Sequence, residues 1–213
     1  MAGVTRRRAQ TRERLVEAAY EVFAEFGIRD APVELICERA GFTRGAFYSN
    51  FASKEQLFLA VHEVQAQERV DRLRTAVASA INNADIADPD VATRVLRHTG
   101  ELFMAALASD RTWYQLNVEF SAQALRQDEL RPLTAAADER FQEALAEILV
   151  DTLAKLGRRL TVDVDSAVLT IIALYEATLK RAILRGADDR HYVTEVLPRL
   201  FAALIVPAEE ETR

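Results

Sequence analysis

Cysteine occurs once in the 213 residues, at Cys37. A single thiol makes no internal disulfide and no cysteine-based metal cluster, which fits a reducing compartment. Histidine is nearly as scarce. His62, His98 and His191 are too scattered to read as a metal set or a catalytic group. Glycine (7) and proline (5) are few, and half of the chain is hydrophobic, so disordered and low-complexity classes are excluded. Long apolar runs are missing too. The most apolar one, "AVLTIIALYEATL" (167–179), is interrupted by Glu176 and is too short to span a bilayer. The start of the chain lacks the apolar stretch of a signal peptide. We therefore expect a cytoplasmic protein without membrane partner, cofactor or bound metal.

Positive charge is in deficit overall, with a formal net charge of −6. An acidic total does not advertise nucleic-acid binding, so such a reading has to rest on local charge. The first fourteen residues differ from the rest. Arg6, Arg7, Arg8, Arg12 and Arg14 stand against Glu13 alone, a local excess of four positive charges that leaves −10 to the remainder. This is the pattern of a basic arm on an acidic body.

What the chain has in abundance is helical periodicity. "TRERLVEAAYEVFAEFG" (11–27) carries an apolar stripe of Leu15, Ala19, Val22, Phe23 and Phe26, and Gly27 is a natural stop. Glu13, Glu17, Glu21 and Glu25 lie four apart and read as a solvated acidic face. A second helix is expected from Pro32 to Gly41. A third, short helix is expected over 44–50 with Thr43 as its N-cap. The fourth opens with "SKEQ", where Ser53 and Gln56 form a capping box, and is broken by "NNADIADPD" (82–90). Further helices are expected at about 91–108, 111–126, 132–156, 163–185 and 190–205, with Pro198 as a kink or a true start. The fold class is all-α, about nine helices, with no strand of note.

Helices two and three are separated by three residues that include a glycine. That is the layout of a helix-turn-helix, whose second helix enters the DNA major groove. Phe42, Phe47 and Phe51 are spaced to pack beneath this helix, and Cys37 is small enough for the close approach of helix two. Gly45 and Ala46 permit approach to the groove floor, and Arg44 can read a guanine edge. Cations follow the starts of three helices: Arg12 and Arg14, then Arg44, then Lys54. A helix start is its positive end, so a phosphate lying across all three would make these charges favourable.

The stretches "TRERLVEAAYEVFAEFG" and "ICERAGFTRGAFYSNFASKEQLF" together resemble the DNA-binding head of the tetracycline-repressor (TetR) family of transcriptional regulators. The likeness covers roughly residues 11–58, and the spacing of Tyr48, Phe51 and Lys54 is its most specific part. The resemblance implies phosphate contacts from Tyr48, Lys54 and Thr11. It implies that Thr43, Arg44, Gly45, Ala46, Ser49 and Asn50 face bases or nearby backbone, with Arg6, Arg7 and Arg8 as a basic arm. Where the family often opens helix two with Thr or Ser, this chain has "DAPV", so a side-chain phosphate contact is not expected there.

The resemblance also implies a DNA-binding domain over 1–56 and a helical ligand-binding and dimerisation domain over 57–213. The last two helices, "SAVLTIIALYEATLKRAIL" and "HYVTEVLPRLFAALI", are apolar enough to associate, either in a monomer core or, as the resemblance has it, in a homodimer that matches a palindromic operator. Phe103, Met104, Leu107, Trp113, Leu116, Phe120 and Tyr175 are candidates to line an apolar effector cavity, with Asn117, Gln123 and Glu176 as polar anchors. Plain core packing explains the same residues. The implied function is a ligand-responsive regulator, a repressor by default, released from double-stranded DNA by a small, largely hydrophobic effector. Two other classes stay open. One is a small-molecule-binding protein without DNA function. The other is a helical enzyme, against which no nucleophile–base pair, paired carboxylates or phosphate loop emerges.

Overall fold

The computed structural model describes residues 2–82, 90–91, 94–95, 97–98, 111–186 and 191–208. The fold is mostly helical. The first helix, α1 (Ala2–Asp30), starts well before residue 11 and takes the arginine arm into its first turns. It is interrupted at Gly27 (φ 75°, ψ 168°) and ends one short turn later. Next come α2 (Val33–Ala40) and α3 (Arg44–Asn50). The long α4 (Lys54–Asn82) stops where the Asn/Asp-rich segment begins. Of the helix expected over 91–108, residues 91, 94, 95, 97 and 98 are described and are helical. Helices α5 (Arg111–Ala124), α6 (Arg131–Lys155) and α7 (Val164–Arg185) follow close to their expected bounds.

Two compact units are formed. One comprises Met1–Gln67 and Thr112–Asp138, the other Glu68–Arg111 and Glu139–Arg213. The division falls inside α4 and α6 and after the first residue of α5. In the first unit the apolar stripe of α1 is buried as its period demands, with Leu15, Ala19, Val22 and Phe23 fully inside. Phe26 is the exception at 45 % exposed. Phe58 of α4 is the centre of an aromatic cluster. Its ring lies 4.3 Å from Phe120 and 5.9 Å from Trp113, centroid to centroid, both on α5. This unit therefore joins the helix-turn-helix segment and α5 around one core.

The second unit packs Leu149 and Leu153 of α6 against Ala167 and Val168 of α7. Asp163 caps α7 by accepting a hydrogen bond from the Ser166 amide at 2.8 Å. A single turn of π-helix (Tyr192–Val196) runs into α8 (Leu197–Ala202). Pro198 thus sits at the second residue of α8, directly after the π-helical turn.

Two details differ from the expectation. The last helix ends at Ala202 where about 205 was expected, and the mostly helical chain carries one short ribbon. Strand β1 (Arg158–Leu160) pairs antiparallel with β2 (Ile205–Pro207), Leu160 opposite Ile205. The β-branched pair Ile205–Val206 followed by Pro207 disfavours helix. Gly157 (φ 62°) turns the chain after α6 so that its carbonyl accepts the Ala208 amide at 2.9 Å. The partners are distant in sequence, so no local pattern announced the ribbon.

Candidate nucleic-acid interface

The geometry of α2 and α3 follows from their ends. Gly41, in the left-handed region at φ 71°, closes α2: its amide and that of Phe42 both return to carbonyls of the last turn, Phe42 to Cys37 at 2.8 Å. Thr43 then caps α3, its hydroxyl oxygen accepting the Ala46 amide at 3.2 Å. Phe47 and Phe51 are buried beneath α3, their rings 6.1 Å apart, and hold it outward. The next cap is a near match to the expected box. Ser53 takes the Gln56 amide, while the Gln56 side chain reaches one residue further back than predicted, to Ala52 N–H at 2.5 Å.

Arg44, Gly45, Tyr48 and Ser49 are exposed on α3, and Thr43 is exposed at its cap. Tyr48 is 52 % exposed, its ring set edge-on to Phe47. Gly45 needs no special backbone angle, and an added Cβ would meet only the Thr43 hydroxyl at 3.7 Å. Its small size leaves a gap on the outer face. Ala46 is half-buried. Ser49 donates to the Ala46 carbonyl at 2.8 Å, and so does the amide of Asn50. Asn50 is half-buried, and its Oδ1 has no hydrogen-bond partner.

The cations are placed differently from the expectation. Because α1 begins at Ala2, Arg12 and Arg14 are not at its positive end. They lie mid-helix, Arg12 over the Phe51 ring at 4.4 Å and Arg14 over the Phe42 ring at 5.1 Å, and brace α1 against the turn before and after α3. Thr11 is likewise no cap, since its hydroxyl donates to the Arg7 carbonyl one turn back. Arg8 reaches the Ser49 carbonyl at 3.2 Å, while Arg6 and Arg7 are exposed. Lys54 turns away from its own helix start. Its ammonium donates to the Arg29 carbonyl at 2.5 Å and the Ala31 carbonyl at 3.0 Å. The unfavourable charge at the start of α4 is thus favourable for the end of α1. Arg44 pairs with Glu34 at 2.7 Å.

Several residues in this arrangement carry no sequence signal. Arg39 of α2 grips Glu25 of α1 through two bonds of 2.6 and 2.7 Å, so the acidic face is partly a clamp and not only solvated. That bond holds the Glu25 carboxyl below the usual carboxylate range. Glu119 of α5 accepts the Arg29 amide at 2.9 Å, beside the break at Gly27. A Cβ on Gly27 would come within 3.0 Å of that carboxylate. Burial pushes the Cys37 thiol up, so it stays protonated at neutral pH.

Of the residues proposed to line an effector cavity, Trp113, Leu116 and Phe120 are buried in the core of the first unit. Asn117 is half-buried, and Gln123 donates to Glu55 at 3.3 Å. Tyr175 is half-buried and Glu176 exposed on α7, in the second unit. Phe103, Met104 and Leu107 lie outside the described residues. Among the described residues no His, Cys, Asp and Glu group that could hold a metal is present, and no helix is long and apolar enough to cross a membrane.

Residues 15–61 match the model of the tetR family of bacterial regulatory proteins. By its head, this chain is similar to that family. The regulator SrpR of Pseudomonas putida is 44 % identical over 52 residues, which cover 24 % of each protein. The chain spans about a quarter to a half of the length of the first curated relatives it matches (24 %, 39 % and 47 %). The fold likeness reaches further. A structure from Mesorhizobium loti, described as a TetR-family transcriptional regulator, superposes with a TM-score of 0.73 over 93 % of this chain and 98 % of its own, at 20 % identity. The regulator FadR of Bacillus subtilis, solved with stearoyl-CoA, gives 0.65 over 90 % and 98 %, at 21 % identity. The match to the family model is thus confined to the head, while the likeness in fold spans most of the chain.

Proposed function

We propose that this chain is a tetR-family transcriptional regulator that binds double-stranded operator DNA as a homodimer and is released by a small, largely hydrophobic effector. The observation that carries the reading is α3: a short helix capped by Thr43, lifted on buried Phe47 and Phe51, with Arg44, Gly45, Tyr48 and Ser49 outward. Such a helix fits a major groove. Arg44 would read a guanine edge. Tyr48 and the exposed Arg6 and Arg7 would hold phosphates. Lys54 has a third N–H beyond its two carbonyls, which a phosphate would take. Residues 1–56 would make the DNA-binding part and 57–213 the regulatory part.

Dimerisation is supported by α7, where Leu169 and Leu184 are 58 % and 74 % exposed. Their burial against a second copy would remove both from water. The effector class follows the stearoyl-CoA bound to FadR and the apolar buried face of α5, Trp113, Leu116 and Phe120. Repression, not activation, is the simplest output for a protein that leaves DNA on binding its effector.

Selection of duplexes from a random-sequence pool, followed by anisotropy titration at several salt concentrations, tests the reading. It predicts an inverted-repeat site, a slope in log affinity against log salt, and loss of base preference at one position, worth ~1–3 kcal/mol, in Arg44→Ala. The absence of saturable binding at low salt would leave a small-molecule-binding protein without DNA function.

A further inference from the structure

The exposed cation of the recognition helix is already engaged. Arg44, the first residue of α3, places Nη1 2.7 Å from Oε1 of Glu34, in the first turn of α2. Both side chains are well exposed, at 59 % and 60 %. The guanidinium carbon lies 5.9 Å from the centre of the Tyr48 ring. A carboxylate and an aromatic ring therefore flank the one arginine that α3 presents to DNA.

Resting on the DNA-binding reading above, we propose that Glu34 is a specificity-determining residue of the interface. It holds one edge of the Arg44 guanidinium, and its charge opposes the approach of phosphate to the same spot. A guanidinium carries five N–H donors in a rigid fork. With Nη1 on Glu34, the remaining donors can still reach O6 and N7 of a guanine, the commonest specific contact. A phosphate is a different partner. To reach it, Arg44 must bring a second anion beside Glu34 or abandon Glu34 and exchange one anion for another, which gains little. Non-specific binding is almost entirely phosphate contact. Glu34 therefore weakens binding to every sequence while weakening the guanine-containing site least. Nothing in the helix patterns of α2 and α3 shows this, because the two residues meet only across the turn.

The test is a titration of wild type, Glu34→Gln, Arg44→Ala and the double variant. Two labelled duplexes are used, a selected site and its scrambled sequence, over a salt series, with far-UV circular dichroism to check folding. Glu34→Gln should bind the scrambled duplex about two- to fivefold more tightly, the range expected for one exposed charge contact. Its preference for the selected site should fall by a similar factor. The log–log salt slope should steepen by up to about 0.9, one phosphate's worth. In the Arg44→Ala background the same substitution should no longer change the preference. An unchanged preference in Glu34→Gln, or an equal shift on both duplexes, overturns the proposal. A wild type that binds neither duplex overturns the DNA-binding reading itself, which separates the two failures.

Discussion

Lys54 offers the sharpest test of the structure, because two roles compete for it. Its ammonium donates to two carbonyls where α1 gives way to α2, those of Arg29 and Ala31. Replacing it with Met keeps an unbranched apolar stem and deletes the charge. A hydrogen bond from a charged donor contributes ~1.5–3 kcal/mol when its partner cannot turn to water. Here the Arg29 contact is exposed and the Ala31 contact part-buried, so water recovers much of the loss. A total near ~2 kcal/mol remains for the two bonds together with the favourable charge at the end of α1. For a chain of this size that is ~4–8 °C in melting temperature. The assay is thermal unfolding followed by circular dichroism, without DNA, comparing wild type with Lys54→Met. A side chain that serves only to hold phosphate would leave this melting curve unchanged and weaken DNA binding alone. A difference of less than ~1 °C between the two proteins would refute the bracing role.

Two further outcomes follow from buried and capping groups. Cys37 is buried, and its thiol is held up by burial first and by Glu34 second, so a thiol reagent should label it only as fast as the head unfolds; labelling at the rate of a free cysteine would contradict the packing of α2. Asp163 caps α7, and the hydrogen bonds from Ser166 keep its carboxyl below the usual range. A carboxyl depressed in the folded state stabilises above its unfolded pKa and loses that contribution as pH falls through its folded value. Asp163→Asn keeps a neutral acceptor, so wild type should lose melting temperature relative to the variant between neutral pH and about pH 3. A constant difference across that interval would show that the carboxylate does not cap.

The separation between local and tertiary information runs through the site itself. Thr43, Ser53 and Gly41 could be read as caps and a stop, because a cap acts on amides or carbonyls only a few residues away. The outward face of α3 was equally legible, since the spacing of Phe47 and Phe51 says which side is buried. The partner of each charge was not legible. The rule that a cation beside a helix start awaits a phosphate assumed that the cation faces its own helix.

For this protein, then, the order and caps of the first helices, the buried aromatic face and the family likeness were determined by the sequence alone, because all depend on residues within a few turns of one another. Tertiary structure decided where the charges go. It turned Lys54 onto the end of α1, put Glu34 against Arg44, set Glu119 at the Gly27 break, and joined Arg158–Leu160 to Ile205–Pro207. An ion or an edge amide takes whichever partner the folded chain brings within about 3 Å, and sequence distance carries no record of that choice.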